Sequence, residues 1–163
     1  MGAVSAIGQD SHRFAPEGAA PERPLRLGGV TVPGAPGLLG NSDADVVLHA
    51  VANAVSGLTG VNVIGAVADR MCRELGITDS AAYLAEAMRA LGAIRLTHLS
   101  VSVEAARPRL APHVPAIRAR LAALLGLPES AVGLTATSGE GLTDFGRGEG
   151  IQVLCILSAE RPD

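Results

Sequence analysis

Residues 38–50 constrain the fold more than any other stretch, because they join a helix start to a group of polar side chains. Ser42 or Asp43 can act as the N-cap that accepts hydrogen bonds from the first helical turn. The apolar residues that follow recur at helical spacing, at Val47, Leu48, Val51, Val55 and Leu58. This spacing predicts an amphipathic helix that ends at Gly57 and Gly60.

The other side of this helix carries a polar line, since Asp45, His49 and Asn53 follow one another at intervals of four residues. Two interpretations of His49 are open from its position alone. It is either a half-buried histidine that is hydrogen-bonded to a neighbour, or a ligand of a metal ion.

An N-terminal segment supplies two further candidate ligands for such a metal ion. After an apolar run over residues 3–7, Asp10 and His12 alternate with Ser11, so their side chains point to the same side of an extended chain. A carboxylate and an imidazole from a strand end, together with His49, suit a zinc-like ion that keeps its fourth position for substrate. The spacing suggests such a site without specifying it.

The composition limits the kinds of ligand that this protein can bind and how it can hold them. The 163 residues are 48% hydrophobic and show no break in composition, so we expect a single domain over residues 1–163 with a core of Leu, Val, Ile and Ala. Aromatic residues make up only 2%, which argues against a nucleic-acid surface built on stacking. Because the net charge is −3, an anionic ligand must be held locally, by metal ions, helix N-termini or a few arginines.

Cysteine usage and the N-terminus favour a cytoplasmic protein. Cys72 and Cys155 are far apart in the sequence, so we expect two packing residues in a reducing compartment rather than a disulfide framework or a Cys-rich metal site. The N-terminus lacks a basic segment followed by an apolar core, and no apolar run approaches the roughly 20 residues of a membrane span. We expect no membrane partner.

The rest of the chain mixes predicted strands and helices. Residues 13–24 are rich in Pro, Gly and Glu and predict a loop, whereas two apolar alternations around Gly28 and Gly29, over residues 25–32, predict a hairpin. Residues 61–69 have no clear period and predict a further loop. The remaining predicted elements are helices over residues 79–91 and about 112–125, and strands over residues 99–103, 132–137 and 151–157.

Two loops carry groups that can contact a ligand. Residues 107–109 form a turn with two cations, which is either a solvated loop or a phosphate contact at a strand end. Residues 138–150 contain five glycines, which allow the backbone to approach a ligand or another subunit closely, although a hairpin-like connection is equally open. This segment is not a dinucleotide fingerprint, because it lacks the third glycine and precedes a strand.

Four groups of residues, in this order, resemble the 2-C-methyl-D-erythritol 2,4-cyclodiphosphate synthases of the non-mevalonate isoprenoid pathway. They are Asp10-x-His12-Arg13-Phe14, the Leu-Leu-x-x-Ser-Asp-x-Asp-Val-x-Leu-His-Ala block of residues 38–50, Pro108-Arg109 with Pro112-His113, and Glu140 followed by Gly-Arg-Gly-Glu-Gly-Ile at residues 146–151. The resemblance implies an α/β (α+β) protomer with a four-stranded mixed sheet, helices packed on one face and a small N-terminal hairpin. It also implies a homotrimer with active sites at the subunit interfaces.

The resemblance further implies a set of site residues. The implied metal ligands are Asp10, His12 and His49 for Zn²⁺, and Glu140 for Mg²⁺ or Mn²⁺. The implied catalytic groups are Asn41 and Ser138. The residues implied to hold the substrate, with its cytidine and phosphates, are Asn41, Ser42, Ile64, Gly65, Ala105, Pro108, Arg109, Ala136, Thr137, Ser138 and, near a threefold axis, Arg147.

The implied reaction is that of a metal-dependent cyclase, a phosphorus-oxygen lyase, and needs no protein nucleophile. In the family, a phosphate of 4-diphosphocytidyl-2-C-methyl-D-erythritol 2-phosphate attacks the β-phosphorus of its own CDP group, closes a cyclic diphosphate and expels CMP. Two metal ions would cancel charge and fix an in-line geometry. Such ions would explain how a slightly acidic chain binds an anionic small molecule.

Two places depart from the family's pattern. Asn41 stands where the family usually has histidine, and its amide donates a hydrogen bond but carries no charge. Residues 63–69 replace the family's loop around the methylerythritol diol, with Val63 in place of an acceptor, and each buried polar group left unpaired costs about 1–3 kcal/mol. Three functions follow: the family reaction, the same chemistry on another CDP-linked substrate in specialised metabolism, or a non-catalytic trimer that keeps the fold.

Overall fold

The structure is a computed structural model that describes residues 2–19 and 22–162. Its strands are β1 (Gly2–Arg13), β2 (Arg26–Leu27), β3 (Val30–Thr31), β4 (Arg95–Glu104), β5 (Val132–Thr137) and β6 (Gly150–Arg161). Its α-helices are α1 (Val46–Thr59), α2 (Ala66–Leu75), α3 (Ser80–Met88) and α4 (Val114–Leu125). Among the helices in these two ranges, none has both the length and the apolar character that crossing a bilayer requires.

A four-stranded mixed sheet, in the order β1-β6-β4-β5, forms the centre of the fold and confirms the predicted sheet. Strand β6 pairs antiparallel with both of its neighbours, whereas β4 and β5 pair parallel. The C-terminal ends of β1, β4 and β5 therefore lie at the same end of the sheet. The predicted hairpin is also present, as the two-residue strands β2 and β3.

Burial alternates along the strands, which shows that the helices cover one face of the sheet. Val153 and Cys155 of β6 are buried, whereas Leu154 and Ile156, which alternate with them along the strand, are exposed. Helix α1 packs against β1 and β6, and α4 packs against β5. The uncovered face presents apolar side chains, since Ile7 of β1 pairs with Ile156 and the two are 68% and 52% exposed.

Helix α1 approaches β1 closely at Gly8. A Cβ atom at this position would lie 1.9 Å from the carbonyl oxygen of Ala50, so only glycine fits. One turn along the helix, the side-chain amide of Asn53 donates to the carbonyl oxygen of Gln9 at 3.0 Å. This close packing brings the C-terminal half of β1 against the helix residues that face it, among them His49.

The N-cap of α1 is Asp45, so the predicted cap at Ser42 or Asp43 is wrong. Asp45 is fully buried, and its Oδ1 accepts from the backbone N–H of Leu48 at 3.0 Å. Asp45 therefore precedes the helix and is not part of a polar line along it, which the four-residue spacing had predicted. Burial raises the pKa of the Asp45 carboxyl, and the backbone N–H groups that it accepts from oppose that shift.

The same carboxylate holds the hairpin turn between β2 and β3. Gly28 donates to Asp45 Oδ1 at 2.8 Å, and Gly29 donates to Oδ2 at 2.6 Å. Both glycines have positive φ, 62° and 78°, as the two central residues of a type I′ turn require. One buried side chain thus ties the start of α1 to the hairpin.

Helix α2 corrects the prediction of a loop over residues 61–69, because residues 66–69 form its first turn. Ala68, Met71, Cys72 and Leu75 recur at helical spacing, but most of this period lies beyond residue 69, where the predicted loop ended. Its ends are set by glycines in the left-handed region, Gly65 at φ 113° and Gly76 at φ 67°. The predicted helices near residues 79–91 and 112–125 are confirmed as α3 and α4.

Candidate metal centre and cleft

Three side chains from β1 and α1 converge on one point. Asp10 Oδ2 lies 3.0 Å from His12 Nε2 and 3.1 Å from His49 Nδ1, and the two nitrogens are 3.2 Å apart. His49 is buried, whereas Asp10 and His12 are half-buried. The alternation of β1 and the close packing at Gly8 bring the three together, as the sequence suggested.

These residues fit a divalent metal ion. Ligands bound at about 2.0–2.2 Å around a tetrahedral zinc lie about 3.3–3.5 Å apart, close to the separations seen here. Within residues 2–19 and 22–162, this is the one group of three His, Cys, Asp or Glu side chains with ligand atoms this close together. Three protein ligands leave one position of a tetrahedral ion for a substrate oxygen.

The outer nitrogen of each imidazole is also engaged. His12 Nδ1 donates to the carbonyl oxygen of Leu39 at 2.7 Å, so the lone pair of this neutral ring lies on Nε2 and faces the cluster. His49 Nε2 lies 2.8 Å from the hydroxyl oxygen of Ser80, the first residue of α3. Such partners orient metal-binding histidines.

Asp10 and His12 also shift each other's titration. Burial disfavours the charged form of both groups. When His12 is protonated, its Nε2–H donates to Asp10, and this hydrogen bond and the attraction of the opposite charges together outweigh burial. The pKa of Asp10 therefore lies below its usual range, and the pKa of His12 lies above its ordinary value of 6.5.

Metal binding at this cluster is expected to weaken on acidification. Because the pKa of His12 is raised, its Nε2 takes up a proton at a higher pH than an unperturbed histidine, and a protonated nitrogen cannot bind a metal. Below that pKa, affinity for Zn²⁺ should fall about tenfold per pH unit for each displaced proton. Calorimetric titration with Zn²⁺ at several pH values between about 8 and 5 measures this. An affinity that stays constant over that range would contradict the assignment of His12 as a ligand.

A cleft of about 290 Å³ opens beside the cluster. The three ligand candidates line this cleft together with four of the residues predicted to bind substrate. These four are Asn41, Ser42, Ile64 and Gly65. The structure therefore brings the metal ligands and this part of the predicted substrate site together within one chain.

Helices α2 and α3 add residues to the cleft that the sequence analysis did not assign, namely Asp69, Cys72 and Tyr83. Cys72 forms no disulfide with Cys155 and packs against the core, as expected, and its Sγ also donates to the carbonyl oxygen of Asn41 at 3.2 Å. Cys155 is buried, and its prediction as a packing residue is confirmed. The helical spacing of Ala68, Met71, Cys72 and Leu75 is the signal that could have placed Asp69 and Cys72 on a helix.

The remaining predicted substrate residues lie at the other edge of the sheet. Pro108 and Arg109 follow β4, which ends next to β5, and Ala105 donates from its backbone N–H to the carbonyl oxygen of Thr137 at 3.0 Å. Ala136 and Thr137 end β5, and Ser138 follows them. Three strand spacings, about 14 Å, separate β1 from β5.

Two further predicted residues lie in the loop between β5 and β6. Glu140 is exposed, has φ 51°, and accepts through Oε1 from the hydroxyl of Ser138 at 3.0 Å. Arg147 forms an ion pair with Asp144 at 2.6 Å. Neither belongs to the cluster around Asp10 within one chain.

The sequence model of the YgbB family matches residues 4–160. The chain belongs to this family. A YgbB-family relative from Chlamydia caviae, named 2-C-methyl-D-erythritol 2,4-cyclodiphosphate synthase, is 45% identical over 153 residues, which are 93% of this chain and 86% of the relative. A relative of the same name from Chlamydia trachomatis serovar L2 is also 45% identical, over 93% of this chain and 85% of its own length.

Solved structures share the YgbB fold. A structure of 2C-methyl-D-erythritol-2,4-cyclodiphosphate synthase has a TM-score of 0.84 and 31% identity, covering 96% of this chain and 100% of that one. A CDP-bound form has a TM-score of 0.81 and 28% identity, with the same coverage. The bifunctional IspDF from Campylobacter jejuni has a TM-score of 0.87 and 28% identity, and this chain spans 43% of it. The resemblance inferred from four motifs is confirmed, and the chain is a synthase-like enzyme of the lyase class.

Proposed function

We propose that this enzyme converts 4-diphosphocytidyl-2-C-methyl-D-erythritol 2-phosphate to the cyclic diphosphate with release of CMP. The observation that carries the proposal is the convergence of Asp10, His12 and His49 at the edge of a cleft. The fold alone would also suit a binding protein, but nothing in the packing requires two imidazoles and a carboxylate to meet at one point.

Two metal positions are part of the proposal. Asp10, His12 and His49 would hold Zn²⁺, and Glu140 would be a ligand of Mg²⁺ or Mn²⁺. When bound, such ions neutralise phosphate oxygens and orient the attacking and leaving groups. Asn41, which lines the cleft, would donate to a phosphate oxygen, and the hydroxyl of Ser138 beside Glu140 would donate on the nucleotide side.

The cytidine and its phosphates are assigned to the far edge of the sheet. Ala136 and Thr137 end β5, Ala105 directly follows the end of β4, and Pro108 and the exposed Arg109 come a few residues later. Cations with a planar fork of donors suit phosphate oxygens. CDP would therefore bind where the two parallel strands end.

The distance between the two groups of site residues supports a homotrimer. The metal cluster lies on the β1 edge and the nucleotide residues on the β5 edge, both at the same end of the sheet. A complete site would form where the β1 edge of one subunit meets the β5 edge of the next. The uncovered sheet face, with exposed Ile7, Leu154 and Ile156, offers apolar surface for this assembly, and Arg147 would lie near its threefold axis.

A second candidate is the same cyclisation, in the cytoplasm, of a different CDP-linked substrate. The wall of the cleft opposite the metal cluster favours it, because α2 supplies Asp69 and Cys72 there. Val63, which replaces an acceptor of the family's diol loop, is 3% exposed and packs in the core. The recognition of the polyol in this chain therefore differs from the family's pattern.

Turnover of the family substrate is the decisive experiment. The zinc-loaded protein, incubated with 4-diphosphocytidyl-2-C-methyl-D-erythritol 2-phosphate and Mg²⁺, should release one CMP for each cyclic diphosphate formed, as measured by chromatography and ³¹P NMR. Omission of Mg²⁺ is the control. A zinc-loaded trimer that releases no CMP would favour the second candidate, and a protein that binds no zinc would favour a non-catalytic trimer.

A further inference from the structure

A buried hydrogen-bonded chain leads away from the metal cluster through Ser80 and Asp43, neither of which lines the cleft. His49 Nε2 lies 2.8 Å from Ser80 Oγ, and the Ser80 hydroxyl lies within hydrogen-bonding distance of Asp43 Oδ1. The backbone N–H of Ser80 donates to Asp43 Oδ2 at 3.2 Å. Ser80 is 1% exposed, so water does not compete for its hydroxyl.

The chemistry of the three groups fixes the direction of this chain. An ionised carboxylate only accepts hydrogen bonds, and a serine hydroxyl has a single proton to donate. The Ser80 proton is therefore committed to Asp43, and Ser80 Oγ accepts from His49 Nε2–H. Because a neutral imidazole carries one proton, His49 Nδ1 then bears the lone pair, and Nδ1 is the atom that faces Asp10 and His12.

These hydrogen bonds oppose a competing position of the proton on the His49 ring. Asp10 Oδ2 lies 3.1 Å from His49 Nδ1, so the carboxylate favours a proton on Nδ1, in the position where a metal ligand needs a lone pair. A second carboxylate, acting through Ser80, holds the proton on the other nitrogen. The two acidic side chains thus have opposite effects on the tautomer of one ring.

We infer that Ser80 is a positioning residue of the metal centre, which together with Asp43 keeps His49 in the Nε2–H tautomer and orients Nδ1 toward the metal position. This inference deepens the proposed function, because it rests on the same three ligands. It also gives α3 a role in the site, although α3 supplies none of the ligands.

The backbone is organised to support this role. Ser80 is the first residue of α3, and Asp79 before it caps the helix. The backbone N–H of Asp43 donates to the carbonyl oxygen of Thr78 at 2.9 Å, and Asp43 Oδ1 accepts from the backbone N–H of Asp45 at 3.1 Å. These contacts hold the loop before α1 against the start of α3, so Asp43 and Ser80 keep a fixed separation.

Zinc affinity and the tautomer of His49 test the inference together. Ser80→Ala should lower the affinity for Zn²⁺ about 10- to 100-fold, as loss of an outer hydrogen-bond partner typically does. Ser80→Thr keeps a hydroxyl at the same position and should bind nearly as tightly as the wild type. Ser56→Ala is the matched control, because Ser56 is also buried, at 4% exposed, and its hydroxyl has no hydrogen-bond partner among the described residues.

The tautomer is read from ¹⁵N chemical shifts of the His49 ring in zinc-free protein near neutral pH. The wild type should show the proton on Nε2, and Ser80→Ala should shift the equilibrium toward Nδ1–H. A wild-type ring with its proton on Nδ1, or wild-type zinc affinity in Ser80→Ala, would overturn the inference. Because neither readout involves turnover, failure to release CMP would overturn the proposed function alone.

Discussion

The His49→Ala variant is expected to lose stable zinc binding. It removes the one ligand that α1 contributes, and it leaves Asp10 and His12, which come from a single strand. The affinity for Zn²⁺ should fall by more than about 100-fold, which is the loss expected when an outer hydrogen-bond partner is removed, because here a direct bond to the metal is lost. Metal analysis after dialysis against buffered Zn²⁺ measures the remaining stoichiometry.

A matched control is available on the uncovered face of the sheet. His98 is exposed on β4 and lies outside the cluster, so His98→Ala should keep one zinc per chain. Undiminished zinc stoichiometry in His49→Ala would refute the ligand assignment, and the proposed metal-dependent cyclisation would be refuted with it.

The Asp45→Ala variant is expected to lose about 3–6 kcal/mol of the free energy of unfolding. Its carboxylate accepts from three backbone N–H groups, those of Gly28, Gly29 and Leu48. Removing it leaves these donors buried and unpaired, at a cost of about 1–3 kcal/mol each, reduced where the site relaxes. Since domains of this size have about 5–15 kcal/mol in total, the variant should be marginally folded. Urea denaturation followed by circular dichroism measures the loss.

Asp79→Ala provides the comparison for this variant. Asp79 is also an N-cap, but it is exposed, and its carboxylate accepts a single backbone hydrogen bond, from Ala81 at 2.9 Å. Its removal should cost about 1 kcal/mol. If Asp45→Ala were no less stable than Asp79→Ala, the carboxylate would not hold the hairpin and the helix together in the way described.

The sequence alone predicted the helices and strands that have a clear hydrophobic period and a clear end. Strand β5 lies at the predicted residues 132–137, and helix α4 is followed by Gly126, where the prediction ended it. Helix α3 ends at Met88, and a 3-10 turn over residues 89–91 leads to Gly92, the predicted end. The convergence of Asp10, His12 and His49 was suggested by the alternation of the strand, and only the family resemblance specified it.

The wrong N-cap and the missed role of Ser80 concern contacts between distant parts of the chain. Ser42 and Asp43 have the chemistry of N-caps, but they bond within the preceding turn, where Ala44 and Asp45 donate backbone N–H groups to them. Asp45 is the cap because the hairpin supplies two more donors to it, and no local pattern contains that information. The contact between Ser80 and His49 spans 31 residues and is invisible to motif analysis for the same reason.

The origin of the three ligands links metal supply to folding. His12 and His49 are 37 residues apart, and one belongs to the first strand of the sheet while the other belongs to the helix packed on it. An unfolded chain holds no preformed site, so an ion that binds only the native form adds its binding free energy to that of folding. Once the site is nearly saturated, each tenfold rise in the free metal concentration would increase the apparent free energy of unfolding by about 1.4 kcal/mol. The ion would then act as a cross-link between β1 and α1 whose contribution to stability depends on the metal concentration around the protein.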